Sequence, residues 1–311
     1  MKIVINKEKN FISAVLYIGD NIDIASDFIR KTASVLRENF EHYEIICVND
    51  GYDDETVAPL KALSNEVENG VLSVVNMSYR QGVELSMSAG VDLAIGDFVY
   101  EFDNIKADFD ASLIMEVYRR SLAGYDIVSA APSKSRTSSK LFYRLYNRFS
   151  GNPSKIRTET FRILTRRAIN RVNSMSDTLP YRKAQYAACG LKCDTIFYDA
   201  ASAVKNRDFE TSRSDKAVDS LILFTDIAYK SSLAMAFFML FLSVFMVIYT
   251  VVTYILIDTA PGWATIMLFL AVAFSGIFCL FAVVIKYLTL LMELVFKKQK
   301  YVIRSIEKIT K

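Results

Sequence analysis

Hydrophobic and polar positions divide the chain into two unlike parts. Over the first 110 residues, short apolar runs alternate with segments of helical period. Phe11–Ile18 is an apolar run with β-branched members that ends at Gly19-Asp20-Asn21, which predicts a buried strand followed by a loop. Residues 22–39 carry apolar side chains at Ile24, Phe28, Ile29, Ala33, Val35 and Leu36, near helical spacing. Tyr43–Val48 predicts a second strand running into Asn49-Asp50-Gly51-Tyr52-Asp53-Asp54. A helix over 56–68, a third strand over 71–76 and a helix over 82–94 follow. Gly96-Asp97 then turns the chain into a fourth strand, Phe98–Phe102, with Asp103 at its end. This alternation predicts an open, mostly parallel sheet with helices on both faces.

Past residue 230 the pattern changes. Leu233–Ile257 and Gly262–Ile285 contain no charged side chain. At 1.5 Å rise per residue, each is long enough to cross about 30 Å of hydrocarbon as a helix. The first span holds fifteen Leu, Ile, Phe or Val residues, about −5 to −9 kcal/mol on the insertion scale. Asp258-Thr-Ala-Pro-Gly262 has room only for a tight turn, so the spans, about 233–257 and 262–287, predict an antiparallel hairpin within 232–291.

Charge orients that hairpin. The turn carries no Lys or Arg, whereas Lys216 and Lys230 precede it and Lys286, Lys297, Lys298, Lys300 and Arg304 follow. The positive-inside rule then predicts a multi-pass protein of the inner (plasma) membrane with both termini cytoplasmic. Ile3-Val4-Ile5 runs straight into Asn6-Lys7-Glu8-Lys9, which is not the pattern of a secretory leader. Residues 1–213 are expected to form a cytosolic domain, 214–231 a juxtamembrane amphipathic helix, and 292–311 a basic cytosolic tail.

Composition narrows the chemistry. The four cysteines (Cys47, Cys189, Cys193, Cys279) lie at no redox or zinc spacing and read as reduced packing residues. His42 is the single histidine, which argues against a His-rich metal site or a Ser-His-Asp triad. A net charge of +3, without a basic run interleaved with aromatics outside the membrane flanks, argues against a nucleic-acid partner. Two spans with Lys286 as their one charge, near an end, offer no polar pathway for a transporter.

In open parallel sheets, ligands bind beyond the carboxyl ends of the strands. The acidic residues expected there are Asp20, Asp50 and Asp103, a set suited to a ribose, a base edge and a divalent cation. No Gly-x-Gly-x-x-Gly follows the first strand and no Gly-Lys-Ser/Thr occurs, so dinucleotide and P-loop binding lack support.

Several segments resemble family 2 glycosyltransferases. Tyr43-Glu-Ile-Ile-Cys-Val-Asn-Asp-Gly-Tyr-Asp-Asp-Glu-Thr56 is similar to the family's YEIIxVDDGSxDxT segment. Gln81-Gly82, Ser88-Ala-Gly90, Ala94-Ile-Gly-Asp97 and Phe102-Asp103 resemble its NxG…xAG…AxGDxVxxxDAD block. Phe142-Tyr-Arg-Leu-Tyr-Asn-Arg148 and Glu159-Thr-Phe-Arg-Ile-Leu164 resemble FYRxxNR and GDFRLL elements of the membrane-bound branch. That branch includes polyprenyl-phosphate sugar transferases similar to dolichol-phosphate mannose synthase.

The resemblance implies a GT-A-like (Rossmann-like, mostly parallel sheet) domain ahead of the transmembrane hairpin. It implies transfer of a sugar from a nucleotide-diphosphate sugar to an acceptor, a polyprenyl phosphate, on the cytosolic face, in polysaccharide or glycolipid synthesis. It also implies that Asp20, Asp50 and Asp103 bind the nucleotide-sugar donor, that Asp103 holds Mg²⁺ or Mn²⁺, and that Asp103 and Asp108 are catalytic. For the lipid phosphate the expected cations are Lys140, Arg144, Arg162 and Arg213. Lys140 and Arg144 lie on the charged side of an amphipathic helix over 140–150 that suits a membrane surface.

The chain departs from the family at three places. Leu16-Tyr-Ile-Gly-Asp20 stands where the family has a Pro-x-Tyr-Asn-Glu end to the first strand. Asp103-Asn104-Ile105 stands where the family has Asp-x-Asp, leaving Asp108 or Asp110 to substitute. Glu159-Thr160 stands for Gly-Asp ahead of Phe-Arg. These departures keep open a second reading, a catalytically degenerate membrane protein that binds or regulates a partner. Association of several copies is left open.

Overall fold

The protein is described by a computed structural model. It describes residues 7–19, 22–51, 58–60, 62–63, 67–105, 109–133, 143–144, 146–148, 153–175, 181–200, 227–256, 262–295 and 301–309. By contacts the chain divides into two units: residues 1–147, 151–210 and 297–311 form one, and 148–150 with 211–296 form the other.

In the first unit, strands β1 (Ile12–Tyr17), β2 (Tyr43–Asn49), β3 (Gly70–Met77) and β4 (Phe98–Phe102) match the four predicted from the apolar runs. Four more complete the sheet: β5 (Ile127–Pro132), β6 (Phe161–Thr165), β7 (Cys193–Tyr198) and β8 (Ile303–Lys308). Their order is β7-β5-β6-β4-β1-β2-β3-β8. Pairs β1–β2, β1–β4, β2–β3 and β5–β7 are parallel, whereas β4–β6, β5–β6 and β3–β8 are antiparallel. The mostly parallel α/β sheet is thus as the resemblance implied.

Strands β1 and β2 are nearly continuous apolar runs because helices cover both faces of the sheet. Alternate β1 residues point to opposite sides. Ile12, Ala14 and Leu16 pack in one core with Phe28 and Leu36 of helix α1 (Ile22–Asn39). Helix α3 (Ser112–Leu122) adds Leu113, Val117 and Tyr118 to that core. Val15 joins the other core with Met87 and Val91 of α2 (Val83–Leu93) and Ala168 of α4 (Arg166–Ser174). Gly90 permits the close packing of α2: a Cβ there would meet Val15 Cγ1 at 2.4 Å and Val48 Cγ2 at 2.7 Å. A short helix α5 (Arg182–Ala188) precedes β7. Of the helix expected over 56–68, residues 58–60 and 62–63 are helical, while 56–57, 61 and 64–66 lie outside the described residues.

The stretch read as a basic tail contains an edge strand instead. Ile303–Lys308 alternates half-buried and exposed positions and runs antiparallel to β3. Asn76 Nδ2 donates to Ser305 Oγ at 3.0 Å and to Glu307 Oε1 at 2.9 Å. Val302 N donates to Gln81 Oε1 at 2.9 Å, and Gln81 Nε2 donates back to Val302 O at 2.7 Å. The sequence carries no period-two apolar signal here, because Ile303 and Ile306 are three apart and fall on opposite faces, with Ile306 exposed.

In the second unit, α6 (Ile227–Leu256) and α7 (Trp263–Val295) form the hairpin. Ser243 Oγ donates to Ala271 O at 3.0 Å across it, and Tyr249 meets Trp263 edge-on at 6.5 Å. The windows Ser232–Leu256 and Trp263–Leu288 have mean hydropathy 2.5 and 2.8 and are only 11% and 6% buried. Core helices of a soluble protein would bury such faces, so both are candidate membrane spans.

Candidate active site

The carboxyl end of β4 presents a paired set of acids. Glu101 and Asp103 are two residues apart on a strand, so both project from the same face. Arg162 of β6 lies directly opposite Glu101 in the antiparallel register. Its Nη1 donates to Glu101 Oε2 at 2.7 Å, its Nη2 to Asp103 Oδ2 at 3.2 Å, and its Nε to Glu159 Oε2 at 3.0 Å.

Helix α5 closes the cluster from the other side. Arg182 Nη1 donates to Glu101 Oε1 at 2.7 Å, and Nη2 to Asp103 Oδ1 at 2.5 Å. Its Nε and backbone N–H both reach Glu84 Oε2, at 3.2 and 2.9 Å. One turn on, Tyr186 donates its hydroxyl to Glu101 Oε1 at 2.6 Å. Glu101 and Asp103 are thus bridged twice, once by each guanidinium. Lys183 is 3% exposed, and its Nζ has no hydrogen-bond partner among the described residues.

Burial by itself would raise the Asp103 carboxyl. The Arg182 and Arg162 guanidiniums, with the Lys183 ammonium, outweigh it and hold the group well below the ordinary carboxylate range. Desolvation opposes the charge of both arginines, but the surrounding carboxylates keep them firmly protonated. Burial, followed by the Glu101 charge, pushes the Tyr186 phenol well up, so it stays a donor.

Asp50, at the carboxyl end of parallel β2, lies two strands from Asp103, on the order of 10 Å at ordinary strand spacing. Its carboxylate accepts from Tyr17 Oη at 2.8 Å, Gln81 N at 2.8 Å, Gly82 N at 3.0 Å and Ser86 Oγ at 2.8 Å. A carboxylate has about four lone-pair sites. All are filled from within the protein, so the geometry gives Asp50 the work of holding the turn that starts α2, where the sequence reading gave it a nucleoside.

Of the other residues singled out, Arg162 joins Asp103, but its guanidinium serves three carboxylates and the residue is 2% exposed. It therefore positions Glu101 and Asp103 where the sequence reading offered it to a phosphate. Arg144 is exposed and takes no part in the cluster. Asp20, Asp108, Lys140 and Arg213 lie outside the described residues. Asp110 is exposed and accepts from Ser112 N at 2.8 Å as a local turn.

Glu84, Glu101, Arg182, Lys183 and Tyr186 went unnoticed in the sequence. Glu101 carried a legible signal, an acid inside an apolar strand in phase with Asp103. Arg182 and Lys183 carried none, because nothing local says that α5 docks against β4.

The expected Mg²⁺ or Mn²⁺ does not fit this donor set. Both Asp103 oxygens face guanidiniums, and Ile105, in the place of the second carboxylate, is 3% exposed within the apolar core. Among the described residues no three His, Cys, Asp or Glu side chains gather as oxygen-seeking cations require.

Residues 25–172 match the family model described as Glycosyl transferase family 2. An uncharacterized glycosyltransferase of Synechocystis sp. is 31% identical over 165 residues, covering 50% of this chain and 51% of that protein. The bactoprenol glucosyl transferase of Shigella phage SfV is 26% identical over 168 residues, covering 52% and 54%. The chain spans about half the length of these two curated relatives. Among solved structures, glucosyl-3-phosphoglycerate synthase from Mycobacterium tuberculosis matches 68% of this chain and 79% of its own at TM-score 0.47 and 13% identity.

Proposed function

We propose that this chain, with its family 2 glycosyltransferase domain, moves a sugar from a nucleoside-diphosphate sugar to a polyprenyl phosphate at the cytosolic face of a membrane. The observation that carries the reading is the return of the chain to its own sheet. Strand β3 precedes the two candidate spans, β8 follows them, and the two are hydrogen-bonded neighbours. A sheet is not divided by a bilayer, so both flanks of the hairpin belong on one side, and the acid-rich strand ends share the compartment of its Lys-bearing flanks. A relative described as a bactoprenol glucosyl transferase supports the lipid acceptor.

The chemistry asks little of a general base. An oxygen of the lipid phosphate, already anionic near pH 7, forms the new bond to the anomeric carbon. The bond from that carbon to the donor diphosphate breaks, and its electron pair leaves with the nucleoside diphosphate. The protein's task is alignment and compensation of the departing charge. The cations nearest the end of β4 are Arg162, Arg182 and Lys183.

The test is nucleoside diphosphate release by full-length protein in lipid, across UDP- and GDP-sugars, with and without a polyprenyl phosphate. Release that requires the lipid phosphate supports the reading; release that ignores it, or none from folded protein, overturns it. A second reading rests on the double arginine clamp on Asp103 together with Ile105 and Thr160. On that reading the domain binds nucleotide without turning it over, and nucleotide binding with no release by any donor would select it.

A further inference from the structure

We infer that Lys183, beside the β4–α5 cluster, takes the charge-compensating place of a divalent ion against the donor diphosphate. This deepens the proposed transfer reaction and rests on the donor being a nucleoside diphosphate. Three observations carry it. Ile105 replaces an oxygen ligand with buried hydrocarbon, and both Asp103 oxygens already have guanidinium partners. Beside them, Lys183 is 97% buried, holds down the Asp103 carboxyl, and offers none of its three N–H donors to an acceptor among the described residues.

A buried ammonium without partners costs free energy unless a ligand supplies the anion. Phosphate oxygens are acceptors of that kind, and Arg and Lys are the side chains that receive them. Arg162 and Arg182 each bridge the two inner carboxylates, Glu101 and Asp103, and the Lys183 ammonium acts on Asp103 through its charge. Glu84 and Glu159 stand on the outer Nε edges of the arginines and bring the whole cluster to a single net negative charge. With both guanidiniums engaged by carboxylates, Lys183 is the cation of this cluster without a hydrogen-bonded partner among the described residues, and it is the one left to take an anion.

The experiment is calorimetric titration of inorganic pyrophosphate into full-length protein in lipid nanodiscs, in excess EDTA and again with Mn²⁺. Wild type is expected to bind equally in both. Lys183→Met is expected to bind about 10- to 100-fold more weakly in EDTA, the worth of a charge-assisted hydrogen bond. Its thermal midpoint should be unchanged or raised, because an unsatisfied buried charge has been removed.

Binding that vanishes in EDTA and returns with Mn²⁺ overturns the inference, as does undiminished binding by folded Lys183→Met. Should that variant not fold, the wild-type comparison in EDTA still decides. Metal-free pyrophosphate binding without any sugar transfer would sink the transferase reading and leave this inference standing. Transfer that depends on Mn²⁺ would do the reverse.

Discussion

Replacing Asp50 by alanine tests whether this residue holds the protein together or holds a ligand. Four donors converge on its carboxylate, two of them backbone N–H groups of Gln81 and Gly82 at the start of α2. The Ser86 bond is fully buried; those from Tyr17, Gln81 and Gly82 are part-buried, and their donors can recover some water. Hydrogen bonds to charged groups are worth about 1.5–3 kcal/mol where desolvated and nearer 1 kcal/mol otherwise. With that discount, Asp50→Ala should lose about 3–5 kcal/mol. For a domain of this size that is roughly 6–20 °C in melting midpoint.

The single tryptophan, Trp263, lies in the membrane hairpin, so fluorescence would follow the wrong unit. Far-UV circular dichroism of the full chain in detergent is the suitable probe, with Asp50→Asn as the milder variant. A loss under about 1 kcal/mol would refute the structural role. If nucleotide binding vanished with stability intact, the ligand role expected from the sequence would be restored.

Other perturbations probe the rest of the argument. Arg182→Ala should destabilise by about 3–5 kcal/mol, because Glu101 and Asp103 lose a buried partner; Arg182→Lys should rescue little of it, since an ammonium cannot bridge both carboxylates, and denaturant midpoints of the two variants check this. Gly90→Ala should cost about 1–3 kcal/mol through overlap with Val15 and Val48, and Val15→Ala should recover part of it in a thermal-melt double-mutant cycle. The folded pKa of Asp103 lies below its unfolded value, so its charge stabilises the fold above the ordinary Asp range, about 3.9. That contribution is lost as pH falls from there toward the depressed folded value, and Asp103→Asn should flatten this part of the acid-stability profile.

The first half of the sheet was legible because its information is local. Phe11–Ile18, Tyr43–Val48 and Phe98–Phe102 are apolar runs closed by Gly and Asp, and β1, β2 and β4 appear where those runs are. The candidate spans were legible for the same reason, since uncharged stretches of that length have few other fates. Strand β8 was not, because Ile303–Lys308 has no apolar alternation and becomes a strand by pairing with β3, more than 200 residues earlier. Asp103 was found because it ends a predicted strand; its partners Arg162 and Arg182 lie 59 and 79 residues away.

By itself, then, the sequence determined the kinds of elements, the division into an α/β domain and an apolar hairpin, and the strand ends at which acids gather. These follow from periodicity, span length and turn chemistry, each read within a window of a few residues. Tertiary structure decided what the acids do. Whether Asp50 and Asp103 face a ligand, a metal or their own protein depends on which donors the fold brings within hydrogen-bonding distance. Those donors come from β6, from α5 and from the start of α2. The energy of a buried carboxylate is set by such neighbours in space, and no local window along the chain contains them.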